Sequence, residues 1–253
     1  MMGHALITAG TSGLGRKVIE EFLKMGHYVT TTYHSGYEKA QEVRQELVQY
    51  NHLLHIEQAD VTSKKNIESL VEKAVTRYGG IDYLINNAGP FIFERKKLLD
   101  YTDDEWNKMI KGNLDAVFNL LKLTVPYMRE QRFGRIINYG FQGANSASGW
   151  PYRSAFSAAK SGLVSLTKTV AFEEAEYQIT SNMVCPGNIV GDMKEASIAE
   201  SRQVPDDATP VGRSGTGEDI ARTIMYLCDE NSDMITGAIF DVTGGLDVIH
   251  RYR

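Results

Sequence analysis

Strand-like apolar runs alternate with helix-like amphipathic runs from one end of this chain to the other, and that rhythm leaves few folds open. H-A-L-I-T-A-G (4–10) passes through a Gly-rich turn into R-K-V-I-E-E-F-L-K-M-G (16–26). There Val18, Ile19, Phe22, Leu23 and Met25 recur at helical spacing, and Gly26 suits the helix end. H-Y-V-T-T-T-Y (27–33) is rich in β-branched and aromatic residues, a second strand. A polar helix (37–50), a third strand near 53–57, a helix capped from Asp60-Val61-Thr62-Ser63 and a fourth strand (81–89) follow. Two helical segments (about 103–131) precede a fifth strand, G-R-I-I-N-Y-G (134–140). A long helix is predicted from near Pro151 to about Tyr177, Pro suiting a first turn. A sixth strand (179–187), an irregular segment (191–216), a helix (217–230) and a last strand (238–245) complete the series. Strands alternating with helices are parallel with right-handed crossovers. The expectation is an α/β, doubly wound parallel sheet of Rossmann type, one domain over 1–253, with 191–216 covering a substrate pocket.

Composition excludes several classes. The formal net charge of −5 gives no basic face for nucleic acid. No run approaches the ~18 apolar residues of a membrane span, and no secretory signal precedes the first strand. Cys185 and Cys228 lie far apart in apolar runs and read as buried free thiols, which fits a reducing cytoplasm. His27, His52 and His55 are scattered, and no spacing suggests a metal site.

T-A-G-T-S-G-L-G (8–15) joins the first strand to the first helix. A Gly-rich turn there lets the backbone approach a pyrophosphate at the helix amino end, where free N–H groups and the dipole favour anions. Alone, such a loop reads equally as a tight turn. Its companions are in order along nearly the whole chain: Asp60-Val61 after the third strand, N-N-A-G (86–89), Asn113 in G-N-L-D-A (112–116), S-A-F-S-A-A-K-S-G-L (154–163), Pro186-Gly187, and D-V-T-G-G (241–245). Together they resemble the short-chain dehydrogenase/reductase family, whose loop motif is T-G-x-x-x-G-x-G, with Ala9 here in place of the first Gly and Gly10 expected to absorb the strain.

The resemblance implies a nicotinamide dinucleotide on Thr8, Gly10, Ser12, Gly13, Leu14 and Gly15. Tyr33, His34, Ser35, Asp60 and Val61 would meet the adenosine side, Asn87, Ala88 and Gly89 would line the cofactor, and Lys160, Pro186, Gly187 and Ile189 would meet its nicotinamide end. The chain has no acid after the second strand, in T-T-T-Y-H-S-G (30–36), to hydrogen-bond a ribose 2′-hydroxyl and repel a 2′-phosphate. His34 and Ser35 can donate, and Lys39 is near, so NADP(H) is favoured over NAD(H). The alternative is that Tyr33 and His34 stack on adenine whichever nucleotide binds.

In the family an asparagine, a serine, a tyrosine and a lysine act together. Asn113 and Lys160 match. Phe141 stands at the serine position and Phe156 at the tyrosine position, and a benzene ring cannot be a general acid or base. Gly191 replaces a threonine that holds the carboxamide. Tyr152 is a candidate surrogate acid: if the helix reaches it, Tyr152, Phe156 and Lys160 share a face. Tyr152 reads equally as a helix-start or interface aromatic. Tyr139 would face the same side as Phe141, or be a packed strand aromatic. Gln142, Asn145, Ser146 and Ser148 could donate to a substrate or simply form turns. The expected function is NADP(H)-dependent reduction of a carbonyl or activated C=C, similar to 3-oxoacyl-carrier-protein reductases, on a small molecule such as an acyl thioester. The rival is a catalytically silent NADP(H) sensor or partner subunit. A homotetramer or homodimer is expected through the helices at 113–131 and 150–176, with Trp150 and F-E-E-A-E-Y (172–177) in the contact.

Overall fold

The computed structural model describes residues 2–249; the ends of the predicted 1–253 domain lie outside them. The described residues form a parallel sheet of β1 (His4–Ile7), β2 (Tyr28–Tyr33), β3 (Leu54–Gln58), β4 (Tyr83–Asn86), β5 (Gly134–Tyr139), β6 (Ile179–Pro186) and β7 (Ile239–Val242), in the order β3-β2-β1-β4-β5-β6-β7. The order reverses between β1 and β4, so their carboxyl ends open a crevice, the place where such sheets bind ligands. Both faces of the sheet are covered. Ala5 and Ile7 pack with one apolar layer and Leu6 with the other, as expected of a strand buried on both sides.

One layer holds α1 (Gly13–Lys24), α2 (Tyr37–Glu46) and, far along the chain, α8 (Gly217–Cys228). The other holds α3 (Lys64–Tyr78), α5 (Ala116–Gln131) and α6 (Ser154–Glu173). α4 (Asp103–Ile110) starts with a Thr102–Glu105 capping box and runs into α5 through a π turn, Lys111–Asp115. The short α7 (Ile198–Ser201) lies in the irregular segment, which is pinned by the two-pronged Arg213–Asp219 pair. No described helix is long and apolar enough to cross a membrane. Cys185 and Cys228 are buried free thiols.

Several expectations need correction. The long helix begins at Ser154, not near Pro151, and ends at Glu173, with a separate 3-10 turn over Ala175–Tyr177. The cause is local: Tyr152 sits at φ +66° and Arg153 at φ −132°, ψ 33°, neither helical. Tyr152 is therefore not on the helical face of Phe156 and Lys160. Tyr139 does not share a side with Phe141 either. β5 ends at Tyr139, which packs with the α1 layer, while Phe141 packs with the α6 layer. Ala9 itself carries φ +54°, so Gly10 does not take up the strain. Gly10 serves close approach instead: a Cβ there would lie 2.2 Å from Thr31 Oγ1.

Candidate active site

The loop after β1 is held by its neighbours' polar atoms rather than by apolar packing. The Gly10 amide donates to Thr31 Oγ1 (3.0 Å), whose hydroxyl donates to the Ile7 carbonyl (2.7 Å). The Ala9 amide donates to Thr32 Oγ1 at 2.9 Å. Asn87 Nδ2 donates to the carbonyls of Thr8 and Ala9, both at 3.0 Å, and the Ala88 amide donates to Thr8 Oγ1 at 2.9 Å. A Cβ on Gly15 would meet the Ala9 carbonyl at 2.6 Å and Asn87 Nδ2 at 2.5 Å. The N-N-A-G stretch thus clamps the Gly-rich loop from the adjacent strand. The loop's outward amide at Gly13 donates to a carboxylate, Glu195 Oε1, at 2.7 Å. Glu195 comes from the irregular segment, and nothing in its local sequence marks it.

A cleft of about 830 Å³ runs from Gly13, Leu14 and Asn87 past Gly89 and Lys160 to Pro186, Gly187 and Ile189, and on to an aromatic end. Its middle is set by Asn113, in the π turn. Asn113 Nδ2 donates to the Pro90 and Met109 carbonyls (2.9 and 3.1 Å), while its buried Oδ1 has no partner. Gly89 must be glycine for this approach, since a Cβ would fall 2.4 Å from that oxygen. π turns are frequent at functional sites, but no sequence pattern announced this one.

Lys160 is 5% exposed, on α6, with Nζ 5.6 Å from the centre of the Phe156 ring. Burial pushes its ammonium down to about 8; Cys185 pushes weakly the other way. Phe141 and Phe156 lie 6.1 Å apart, centre to centre. Trp150 stacks on Phe141 (5.4 Å, 29°) and meets Phe156 at 6.0 Å, so it lines the cleft. Phe91 closes the cluster, edge-on to Phe156 at 4.9 Å. Such rings attract one another beyond their buried area. Neither Phe91 nor the Val248–Ile249 segment that also lines the cleft was legible as part of the site.

Tyr152 lines the outer cleft with Arg95 4.3 Å above its ring, and its carbonyl accepts from the Tyr101 hydroxyl (3.3 Å). The Tyr139 hydroxyl is buried without a partner, and burial pushes its pKa far up, the opposite of what a proton donor needs. Gln142 accepts from the Val248 amide, and Asn145 from Lys168. Ser146 and Ser148 bond each other, so these loop residues hold the loop. Tyr33, His34, Ser35, Asp60 and Val61 do not line the cleft. They gather at the carboxyl ends of β2 and β3, where His34 Nε2 lies 3.8 Å from Asp60 Oδ2. Asp60 also accepts from the Thr62 amide and hydroxyl; these bonds overcome its partial burial and hold its carboxyl below the usual range. Ser12 precedes α1 without capping it through its side chain. No cluster of three metal-binding side chains occurs among the described residues.

A family model described as enoyl-(acyl carrier protein) reductase matches residues 8–247. YtkK of Bacillus subtilis, provisionally named an oxidoreductase, is 59% identical over 251 residues, 99% of this chain and 98% of YtkK. The 3-oxoacyl-[acyl-carrier-protein] reductase FabG of Haemophilus influenzae is 36% identical over 244 residues, 96% of this chain and 97% of FabG. A solved structure from Bacillus thuringiensis, provisionally described as a 3-oxoacyl-reductase, superposes with TM-score 0.94 at 62% identity, covering 99% of this chain and 100% of that one. With the sheet order, the clamped Gly-rich loop and matches of this extent, the chain belongs to the short-chain dehydrogenase/reductase family of oxidoreductases.

Proposed function

We propose that this protein is an NADP(H)-dependent reductase of a carbonyl or an activated C=C bond, with an acyl thioester as the first substrate class to test. The observation that carries the reading is the single cleft joining the amino end of α1 to Lys160 and the aromatic cluster. The residues fit a dinucleotide. The Gly13 amide already holds an anion, the Glu195 carboxylate, and Gly10 and Gly15 leave room only for backbone. Thr8, Gly10, Ser12, Gly13, Leu14 and Gly15 would hold the pyrophosphate. Asn87, Ala88 and Gly89 would border the ribose, Lys160 would donate to its hydroxyls, and Pro186, Gly187 and Ile189 would meet the carboxamide end. When bound, the cofactor supplies a hydride. The protein's part is to orient the acceptor, exclude water with its aromatic walls and deliver a proton; orientation alone is worth several kcal/mol of barrier.

NADP(H) over NAD(H) rests on the absence of an acid following β2 and on exposed His34 and Ser35 beside it. Tyr33 and Asp60-Val61 would border the adenine. Segment 191–216 is read as the cover of the cleft, since Lys194 lines it. A homodimer or homotetramer through α5 and α6 is supported by Phe118 (51% exposed) and Phe172 (84% exposed) on those helices; sedimentation would show a species above 28.2 kDa. Phe141 and Phe156 favour a second reading, a silent nucleotide-binding subunit. Mixing the protein with NADPH and a panel of ketones and 2-enoyl thioesters decides. Loss of NADPH absorbance supports the reductase; fluorescence binding without turnover supports the silent subunit; tighter NADH than NADPH binding refutes the cofactor preference.

A further inference from the structure

With two phenylalanines where the family places its hydroxyls, the cleft is still lined, among the described residues, by the buried ammonium of Lys160. We propose that the Lys160 ammonium is itself the proton donor of this site, a catalytic residue acting directly and not through a tyrosine. This rests on the reductase reading above.

The geometry comes first. Lys160 is buried on α6, lines the cleft, and lies with Nζ 5.6 Å from the centre of the Phe156 ring, which carries no hydroxyl. The titratable group that acts on it is Cys185 from β6, with Asp241 of β7 behind that thiol, while Tyr139 from β5 and the uncharged Asn113 from the π turn line the same cleft. Arg95, Arg153 and Lys194 line the outer cleft. Burial holds the Cys185 thiol and the buried, unpartnered Tyr139 hydroxyl protonated. Tyr152 has lost its place on the helical face. Phe156, the ring beside Lys160, is itself packed by Phe91, Phe141 and Trp150, and burial leaves the ammonium poorly solvated, so that it releases a proton more readily than a surface lysine does.

The step balances as follows. NADPH, when bound, would supply the hydride that reduces the electron-poor carbon, leaving negative charge on oxygen, as an alkoxide from a ketone or an enolate from an enoyl thioester. A Lys160 Nζ–H bond breaks and the proton goes to that oxygen or to the α-carbon. The neutral amine then takes a proton from water. One hydride and one proton are consumed per bond reduced.

Lys160→Arg separates this role from ribose binding, because guanidinium keeps the charge and the donors yet stays protonated. Three measurements are made: NADPH affinity by fluorescence, the pre-steady-state rate with crotonyl-pantetheine and acetoacetyl-pantetheine over pH 6–10, and lysine Cε NMR of the cofactor-free protein. We expect Lys160→Arg to bind NADPH within about threefold of wild type while its rate falls about 10²-fold or more. The wild-type rate should decline as pH rises through about 8, as the ammonium is lost, and Lys160→Arg should lack that decline. One lysine resonance titrating near the same pH should vanish in Lys160→Arg. A Lys160→Arg rate equal to wild type, a Tyr152→Phe variant that abolishes turnover, or no lysine titrating below about 9 would overturn the proposal and leave the reductase reading standing. Wild-type protein that binds NADPH without turning over either thioester would instead defeat the reductase reading, and this inference with it.

Discussion

The two ends of the cleft are built by different means. At the α1 end, backbone amides, carbonyls and short side chains do the positioning: Thr8, Thr31, Thr32 and Asn87 each tie the loop at 2.9–3.0 Å. At the far end, four rings pack on one another, with no polar side chain at the Phe141 and Phe156 positions. A backbone cradle tolerates little change, because an added methyl has nowhere to go. An aromatic wall can be altered in chemistry while keeping its shape. The same scaffold can therefore hold its dinucleotide geometry rigidly while its proton chemistry drifts.

The largest expected effect comes from returning a hydroxyl to the variable end. Phe156→Tyr adds one oxygen beside Lys160 and changes little else in the packing. Ketone reduction by this variant should rise, by at most about 10²-fold, as a phenol joins the Lys160 ammonium as a second general acid, read by NADPH consumption. An unchanged rate would mean that the ring at 156 does not face the reacting carbon, and the contrast between the two ends would lose its chemical meaning. At the backbone-built end the reciprocal change is Gly15→Ala. Its Cβ would fall 2.6 Å from the Ala9 carbonyl, so the first turn of α1 must shift. NADPH affinity should drop about 10–100-fold, in keeping with overpacking costs of about 1–3 kcal/mol, while Trp150 fluorescence, a reporter of the other end, stays as it was.

How much of this could be read from the chain follows the same division. The sheet and its order of elements were legible because strand and helix periods are local. The Gly-rich loop was legible because its requirement, backbone without Cβ, is written in residue type. The aromatic end was not. Phe91, Trp150 and Ile249 are brought together from three separate segments, and only Phe141 and Phe156 stood in a recognisable frame. Pro151 looked like a helix start, yet the positive φ at Tyr152 delays α6 to Ser154, and an argument based on helical spacing failed with it. The π turn that seats Asn113 has no residue signature, since it follows from how α4 and α5 meet.

A smaller effect tests the anion site directly. Glu195 places a carboxylate on the Gly13 amide, at the helix end where a pyrophosphate would rest. Glu195→Gln keeps the size and removes the charge. NADPH should bind about three- to tenfold more tightly, since a charged acceptor no longer competes and a repulsive charge is gone. Weaker binding would show that Glu195 holds the segment in place for the cofactor and does not compete with it.

The smallest effect concerns Ala9, whose φ of +54° is the left-handed region that a Cβ disfavours. The strain costs about 1–2 kcal/mol for an L residue and nothing for glycine. Ala9→Gly relieves it but also frees the unfolded chain, which takes back about 0.4–1 kcal/mol. The net gain should be about 0.5–1 kcal/mol by denaturant unfolding. Because the Ala9 amide and carbonyl are fixed by Thr32 and Asn87 whichever residue stands there, NADPH affinity should stay within about twofold. A stability gain with unchanged affinity would show that the cradle's shape is imposed by its neighbours across β2 and β4. A loss of affinity would show that the methyl group at Ala9 takes part in holding the cofactor, and the cradle would then be less purely backbone than the comparison holds.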